Sequence, residues 1–373
     1  MKLVVFGLSI SSSWGNGHAT LWRGLCAALG RRGHRTVFFE RDVPYYALHR
    51  DLTELADGEL HLYADWRDAR QTADRHLADA DVAIVTSFCP DGIPAAELVL
   101  ASRTRLRVFY DLDTPVTLAC LRAGEPISYI GPRGLSDFDL VLSYTGGAAL
   151  SDLRTMLGAR RTAPLYGSAD LTIHRPMPAA PQYRADLSYL GTYAEDRQGA
   201  LAELFIEPAR RLPGRRFVIG GAQYPQSFPW TKNIFFVRHL PPAEHPAFYC
   251  SSRLTLNVTR RVMAEMGYCP SGRLFEAAAC GVPILSDRWE GLGGFFEPGS
   301  EILVAGGSGD AVDALNLPDG ELHRIGRAAR ERVLAEHTAD QRAKDLEAAF
   351  EAALSGEPAG PSASDVSSLM EEA

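Results

Sequence analysis

The feature that most constrains the fold of this chain is a repeated alternation of short apolar runs with amphipathic stretches of helical period. In the first half the apolar runs are residues 3–10, 36–40, 82–86, 105–111 and 140–143. After residue 184 the alternation restarts, with runs at 187–190, 217–220, 234–238, 254–257, 282–286 and 302–305. Short buried strands separated by helices are typical of parallel sheets covered on both faces. The pattern predicts an α/β protein with two doubly wound, Rossmann-like sheets.

Two sheets predict two domains, and the length of 373 residues agrees with domains of roughly 150 to 200 residues each. Residues 164–184 are rich in Pro and Ala and lack periodicity, which indicates a linker. The predicted parts are an N-terminal domain (1–168), a second domain (169–335), a closing helix (336–354) and a disordered tail (355–373). We expect the carboxyl ends of both sheets to face one cleft that binds the ligands.

Composition excludes several classes of protein. Apolar residues make up 46% of the chain and charged residues 23%, a globular balance, and a net charge of −8 offers no basic field for nucleic acid. The six cysteines form no C-x-x-C pair, which favours free thiols and a reducing cytoplasm. The apolar run 3–10 is too short for an export signal, and no run of eighteen apolar residues predicts a transmembrane segment.

One carboxylate stands alone in the most informative motif, Ser271-Gly-Arg-Leu-Phe-Glu276-Ala-Ala-Ala-Cys-Gly281-Val-Pro283-Ile-Leu-Ser-Asp287. The motif predicts a helix of small residues, a Gly stop and a buried strand. Alanine neighbours cannot pair with Glu276, whereas a surface Glu would more naturally have Lys at helical spacing. The motif therefore indicates that Glu276 binds a ligand.

The segment Glu276-Ala-x-Ala-Cys-Gly-x-Pro resembles the donor-site motif of glycosyltransferases of the GT-B fold. Its continuation, from Trp289-Glu-Gly-Leu to Gly-Ser-Glu301-Ile, resembles the CgeB-like branch. The resemblance implies sugar transfer from a nucleoside-diphosphate donor to an unidentified acceptor, with no further cofactor and with Glu276 on the ribose hydroxyls. Retaining members often carry Glu-x7-Glu, but Tyr268 stands at the first position here, so the stereochemistry is left open.

Cationic and backbone groups near this motif are candidate ligands of the donor's pyrophosphate. Arg273 lies one turn before Glu276, and Arg260 follows the strand at 254–257. A fixed guanidinium stabilises the charge of a departing nucleoside diphosphate, although a solvated surface arginine is the alternative. Bare amides of the Gly291–Gly294 turn, at Gly293 and Gly294, could act in the same way, as Gly-rich turns at the start of a helix do. Loops resembling the family's donor loops contribute Gly191 with Thr192 and, at the base, Leu240.

The first domain opens with Trp14-Gly15-Asn-Gly17-His18, followed by a predicted helix that ends in Arg32-Gly-His34. This order resembles the opening of inverting GT-B enzymes, in which His18 matches the reactive histidine. The positive end of a helix favours a neutral imidazole, which could accept the proton of an acceptor hydroxyl. A capping or phosphate-contacting histidine is the alternative. Gly15 and Gly17 are assigned to the acceptor side.

The same glycines could suggest a dinucleotide site, but the third Gly of that fingerprint is absent. A ribose-binding acid is also missing at the expected place, unless Glu40 serves.

Two carboxylates end the strand at 105–111, in Tyr110-Asp111-Leu-Asp113-Thr-Pro. Asp113 could orient His18, act directly as a base, or cap the helix that follows. Asp111, and Thr145 after the strand 140–143, are assigned to the acceptor side.

The form Asp-x-Asp holds a divalent ion in other glycosyltransferases, but here it lies in the first domain, away from the donor motif. We therefore expect no metal. The runner-up is a single-lobed, metal-dependent transferase that uses Asp111 and Asp113.

Two other functions fit the same donor motif. A nucleotide-sugar epimerase of the same fold would bind the nucleotide through Glu276, and a non-catalytic nucleotide-sugar-binding protein would need no reactive group in the first domain. Turnover that depends on an acceptor discriminates the transferase from both.

Overall fold

The computed structural model describes residues 1–356, which form two compact units. The first unit comprises Met1–Tyr166 together with the chain from Ala339, and the second comprises Gly167–Thr338. Of the predicted tail 355–373, residues 357–373 lie outside the described residues. The helices of residues 1–356 include none that is long and apolar enough to cross a membrane.

The first unit is built on a seven-stranded parallel sheet with the order β3-β2-β1-β4-β5-β6-β7. Its strands are β1 Lys2–Gly7, β2 Arg35–Arg41, β3 Gly58–Tyr63, β4 Val82–Thr86, β5 Leu106–Asp111, β6 Leu140–Ser143 and β7 Thr162–Pro164. The intervening helices are α1 Gly17–Arg31, α2 Pro44–Ala47, α3 Trp66–Leu77, α4 Gly92–Ala101, α5 Thr114–Arg122 and α6 Ala148–Leu157.

Both faces of this sheet are buried. In β1, Leu3 and Val5 pack into one core, while Val4 and Phe6 pack into a second core on the opposite face. Alternate side chains of a strand point to opposite faces, so a strand buried on both faces reads as a continuous apolar run. This is why five strands of this sheet, β1, β2, β4, β5 and β6, could be predicted from apolar runs alone.

The second unit contains a six-stranded parallel sheet with the order β10-β9-β8-β11-β12-β13. Its strands are β8 Ala185–Leu190, β9 Phe217–Gly221, β10 Ile234–Arg238, β11 Ser252–Asn257, β12 Ile284–Asp287 and β13 Leu303–Ala305. Its helices are α7 Gln198–Leu201, α8 Glu207–Arg211, α9 His245–Cys250, α10 Arg261–Met266, α11 Gly272–Ala279, α12 Ser308–Asn316 and α13 Asp319–Glu336. The two predicted doubly wound sheets are thus confirmed.

The last helix, α14 (Ala339–Ser355), belongs to the first unit. Leu346 and Phe350 are buried in the same apolar cluster as Leu25 and Leu29 of α1. The sequence predicted a separate closing helix after the second domain. An amphipathic helix shows in its sequence that one face is covered but not by what, so its partner could not be predicted.

Candidate functional site

Glu276 lies on α11, in a pocket that it shares with two side chains of α9. The Tyr249 hydroxyl donates a hydrogen bond of 3.3 Å to Glu276 Oε2. His245 Nδ1 lies 3.7 Å from the same oxygen, and the side chains of His245 and Glu276 are only 14% and 12% exposed. Helices α9 and α11 therefore hold the carboxylate in one orientation.

A third group, His174, approaches Glu276 from the segment that precedes β8. One nitrogen of His174, one of His245 and a Glu276 oxygen all lie within 4.8 Å of one another. His174 is buried and its Nδ1 accepts a hydrogen bond from the backbone N–H of Asp170, so Nε2 carries the ring hydrogen. Burial lowers the pKa of His174, and the charge of Glu276 opposes that shift.

Glu276 is nevertheless charged. Burial alone would raise the pKa of the Glu276 carboxyl, but His174, His245 and Arg273 together hold that pKa well below its usual range. An ionised carboxylate that is fixed and mostly shielded from water is a strong acceptor for hydroxyl groups.

Arg273 is anchored at the carboxyl ends of the neighbouring strands. Its Nε donates to the carbonyl of Leu190 at the end of β8, and its Nη1 donates to Asn257 Oδ1 at the end of β11, 2.9 Å away. The guanidinium also lies 5.1 Å from the centre of the Tyr189 ring. Much of its hydrogen-bonding capacity is thus used within the unit, which fixes its position beside Gly191.

The loop after β8 requires glycine at Gly191. A Cβ atom there would lie 2.8 Å from the Tyr189 hydroxyl and 3.0 Å from Arg273 Nη2. The Gly191 carbonyl accepts a 3.0 Å hydrogen bond from the Tyr224 hydroxyl. The carbonyl of Thr192 accepts from Arg197 Nη1 at 3.3 Å.

Leu240 is buried, and its carbonyl lies 3.2 Å from His245 Nε2. The backbone of the predicted base loop is therefore linked through one imidazole to the Glu276 pocket.

Two candidate ligands of the pyrophosphate, Arg260 and the turn with Gly293 and Gly294, differ from what the sequence predicts. Arg260 Nε is paired with Asp196 Oδ2 at 2.9 Å, so this guanidinium is partly neutralised. Gly293 and Gly294 belong to a single 3₁₀ turn, Leu292–Gly294, whereas the sequence suggested a turn at the start of a helix. The next helix, α12, begins only at Ser308, so no helix end presents these amides. Short Gly-rich turns and helix starts share composition, which is why the sequence did not separate them.

In the first unit the structure brings His18 and Asp113 together. His18 is the second residue of α1, and its Nε2 lies 2.7 Å from Asp113 Oδ2, with the side chains 16% and 18% exposed. Asp113 stands at the N-cap position of α5, yet its carboxylate is turned to His18, so the capping interpretation is wrong for the side chain. The cap of α1 is Asn16, whose side chain accepts from the His18 N–H, so capping does not explain the His18 ring either.

The other acceptor-side residues lie close by, and two of them are buried. Asp111 is fully buried at the end of β5, and one of its oxygens accepts from the Asp113 N–H at 3.1 Å. Burial raises the pKa of Asp111 to about 6. Thr145 is also buried, and its N–H donates to Ser143 Oγ at 3.0 Å. Asp111 and Thr145 are thus buried and not exposed as a residue in contact with an acceptor would be, and their assignment to the acceptor side stays a prediction.

Unlike Asp111 and Thr145, the other two predicted acceptor-side residues, Gly15 and Gly17, are exposed. Gly15 has a φ of 58°, a conformation that favours glycine. A Cβ at Gly17 would meet no heavy atom of residues 1–356 within 4 Å, so that glycine leaves open space.

Glu40 cannot serve a dinucleotide. Its buried carboxylate accepts hydrogen bonds from the backbone N–H groups of Ile10 and Ser11 and from the hydroxyls of Ser9 and Ser11, at 2.6 to 2.9 Å. The residue ties the end of β2 to the loop after β1, and the dinucleotide alternative has no acidic residue left.

Sequence reasoning missed four residues of these sites. His174, His245 and Tyr249 surround Glu276, and Phe88 lies beside His18 with a ring-centre distance of 6.4 Å and a φ of 58°. A left-handed φ at a bulky residue is uncommon and is enriched at functional sites. No sequence pattern reports either that backbone strain or the approach of His174, 102 positions before Glu276 in the chain.

Part of the chain matches a known family of proteins. The profile of a glycosyl transferase-like family matches residues 197–348. No curated protein sequence matches the chain significantly.

Three solved structures share the fold over nearly all of both chains. Sucrose-phosphate synthase from Thermosynechococcus elongatus has a TM-score of 0.70 at 13% identity and covers 95% of this chain and 100% of its own. HepE from Anabaena, solved with UDP-glucose, has a TM-score of 0.65 at 12% identity, covering 94% and 100%. Trehalose 6-phosphate synthase from Burkholderia multivorans has a TM-score of 0.61 at 12% identity, covering 96% and 99%.

The chain thus shares the fold of these solved glycosyltransferases, and residues 197–348 match a glycosyl transferase-like family. The predicted fold class is confirmed, and the predicted enzyme class is supported by the match over residues 197–348.

Proposed function

We propose that the protein transfers a sugar from a nucleoside-diphosphate donor to an acceptor hydroxyl, with no other cofactor. The observation that carries the proposal is Glu276, an ionised carboxylate held by α9 and α11 inside the region matched by the glycosyl transferase-like family. HepE binds UDP-glucose in its crystal structure, so UDP-sugars are the first donors to test. A CgeB-like specialisation and a cytoplasmic location remain part of this proposal.

Donor binding is assigned to the second unit. Glu276 accepts hydrogen bonds from the ribose hydroxyls, while His174 and His245 keep the carboxylate charged and oriented. Leu240 lies next to the nucleobase, and Gly191 with Thr192 lies next to the phosphates. Gly191 has no side chain, and a Cβ there would press on Tyr189 and Arg273, so glycine would let a phosphate approach the backbone closely.

The pyrophosphate is assigned to Arg273, with support from Arg260 and the turn containing Gly293 and Gly294. Arg273 is held by Leu190 and Asn257, so its remaining N–H groups need no reorganisation when charge develops on the leaving nucleoside diphosphate. Arg260 must share its charge with Asp196, which makes it the weaker ligand.

Proton acceptance is assigned to the His18–Asp113 pair of the first unit. His18 Nε2 already bonds Asp113, and His18 Nδ1 is buried with no hydrogen-bond partner among residues 1–356. An acceptor hydroxyl therefore reaches the pair through the Asp113 carboxylate, which takes its proton, while the His18 Nε2–H group donates to the same carboxylate and orients it. The acceptor oxygen then forms the bond to the sugar carbon as the bond to the diphosphate breaks.

The first experiment is a thermal-shift panel of nucleotide sugars and nucleoside diphosphates on the full chain. A true donor at one hundred times its dissociation constant stabilises the native state by about 2.7 kcal/mol. Product is then followed with candidate acceptors. Turnover only in the presence of an acceptor supports transfer, acceptor-independent isomerisation of the sugar supports the epimerase, and binding without turnover supports a sensor.

The second experiment replaces Glu276 by Ala. The change removes charged hydrogen bonds worth roughly 1.5 to 3 kcal/mol, so we expect donor affinity to fall about tenfold or more by calorimetry. Glu265→Ala is the matched control, because Glu265 is an exposed glutamate of α10 in the same unit, next to Arg261. Unchanged affinity in a folded Glu276→Ala protein would refute the ribose assignment.

A further inference from the structure

A cluster of two imidazoles and one carboxylate lies in the first unit, apart from the residues assigned to sugar transfer. Glu59 and His61 stand two positions apart on β3, so their side chains share one face of the sheet, and His76 lies near the end of α3. His61 Nε2 is 3.0 Å from Glu59 Oε2, and His76 Nε2 is 3.9 Å from the same oxygen. One possible ligand atom from each residue lies within 4.8 Å of the other two, close enough for all three to bind a single ion.

The cluster is held in place by its neighbours. The His61 ring stacks on the buried ring of Phe39, with centres 4.9 Å apart and planes 15° apart, and the His76 ring meets Phe39 edge-on at 6.0 Å. Arg35 binds the other oxygen of Glu59, Oε1, at 2.6 Å. Because these contacts already fix all three side chains, little conformational entropy is lost when they bind a common ligand.

Neutral imidazole nitrogens and an ionised carboxylate are the forms in which these side chains bind zinc. Two nearby cations are already paired with carboxylates, Arg35 with Glu59 Oε1 and Lys2 with Asp79.

The cluster is also accessible. The side chains of Glu59, His61 and His76 are 31%, 30% and 18% exposed, so an ion can enter from solvent. Imidazole nitrogen with one carboxylate favours zinc and related transition metals over magnesium or calcium, which prefer all-oxygen sites.

We propose that Glu59 Oε2, His61 Nε2 and His76 Nε2 bind one Zn²⁺ ion, with water completing a four-coordinate site. Zinc bonds of about 2.0 to 2.1 Å in a tetrahedron place ligand atoms roughly 3.3 Å apart, so the 3.0 and 3.9 Å separations need only a small adjustment. Glu59 lies at the amino end of β3, whereas His18 and Asp113 belong to segments that follow the carboxyl ends of strands. The ion is therefore structural: it joins the edge strand β3 to α3.

The test uses the full chain, stripped with EDTA and dialysed, then titrated with Zn²⁺ alone by calorimetry and followed by thermal melting. We expect one equivalent to bind and to raise the melting temperature. His61→Ala and His76→Ala should lose this equivalent or bind it more than roughly tenfold more weakly, since losing even an outer partner of a metal ligand costs that much. His61→Asn is a more conservative replacement that is less disruptive to folding than His61→Ala, and it should also lose the bound Zn²⁺.

Two controls locate the site. His34→Ala removes another histidine of the same unit that contacts a carboxylate, Glu347, and it should leave Zn²⁺ binding unchanged. His245→Ala removes an imidazole from the other His/Glu cluster of residues 1–356, near Glu276, and should also leave the equivalent in place. Absence of saturable binding, equal binding by the wild type and both cluster variants, or loss of the equivalent only in His245→Ala would overturn the proposal.

Discussion

His18 and Asp113 are the residues whose meaning changes most between the sequence and the structure. In the sequence, each residue is a separate candidate that follows a predicted strand of the first domain. In the structure, a 2.7 Å contact joins the two side chains, although they lie 95 residues apart in the chain. The carboxylate that a helix start would normally use as a cap is committed to an imidazole instead. Such a pair is expected where protons are exchanged, because each partner tunes and orients the other.

We predict that His18→Ala and Asp113→Asn each lower turnover by about two to four decades, the usual contribution of general base catalysis. Donor affinity, measured by calorimetry, should change little. Because the two groups act as one unit, the double variant should be no slower than the slower single variant. His34→Ala is the control histidine. Retained turnover with weakened donor binding would instead make His18 a phosphate contact.

Asp111 lends itself to a test of pH dependence. Its folded-state pKa of about 6 is raised by burial from 3.8, so the native state holds a proton that the unfolded chain releases between these values. Stability should therefore fall as pH rises from about 4 to 6 and level off above, by roughly 3 kcal/mol in total. Melting of the wild type and Asp111→Asn across pH 4 to 8 measures this; curves that stay parallel would contradict the shift.

Among single residues, Glu276 could be predicted because its sequence neighbours left it without a partner. Its surroundings could not: His174 precedes β8 and His245 opens α9, and neither carries a motif. These residues come close to Glu276 only when the strands and helices of the second unit pack together. Leu240 and Gly191 were predicted as loop positions, whereas the reason that Gly191 must be glycine, the Tyr189 hydroxyl behind it, is a tertiary contact.

At the level of elements, strands with a continuous apolar run were predictable, whereas two strands of the first sheet were not. The runs at 82–86, 140–143 and 234–238 match β4, β6 and β10 to the residue. Strand β3, Gly-Glu-Leu-His-Leu-Tyr, alternates polar and apolar residues at the sheet edge, and β7 has only three residues, so both escaped a search for apolar runs. Strand β3 gave no signal because its polar and apolar residues alternate, and β7 gave none because it is too short to form a run.

Helices α11 and α13 pack so closely that one position admits only glycine. A Cβ at Gly326 would lie 2.6 Å from the carbonyl oxygen of Gly281 and 2.9 Å from the nitrogen of Pro283, both in the turn after α11. We predict that Gly326→Ala lowers the free energy of unfolding by about 1 to 3 kcal/mol, the cost of overpacking. Since the same turn fixes α11, donor affinity should fall as well.

Gly320→Ala in the same helix is the matched control for this prediction. A Cβ there would meet no heavy atom of residues 1–356 within 4 Å, so stability should stay the same or rise by up to about 1 kcal/mol. Urea denaturation of both variants gives the comparison. Equal stabilities for the two alanine variants would show that the turn yields without cost.

For the whole molecule, the chain leaves the first unit after Tyr166 and returns to it at Ala339, so the second unit is one continuous segment. The family match begins inside this segment, at residue 197, and extends beyond it into α14, to residue 348. Helix α14 buries Ala343, Leu346 and Phe350 in the core of the first unit. Helix α14 thus contributes to the stability of the first unit, although the sequence does not indicate which unit it packs against.

Catalysis by the whole molecule should not depend on a divalent ion. Asp111 is fully buried and Asp113 contacts His18. Arg273 lies beside Gly191 in the second unit, where a guanidinium can supply the positive charge that a metal ion would supply. We expect turnover with excess EDTA, assayed well below the melting temperature, to equal turnover without it. Zinc at Glu59, His61 and His76 should affect melting only, so His61→Ala should show the same turnover with and without EDTA. Loss of wild-type turnover that Mn²⁺ or Mg²⁺ restores would contradict the metal-independent mechanism, and it would return Asp113 to consideration as an ion ligand.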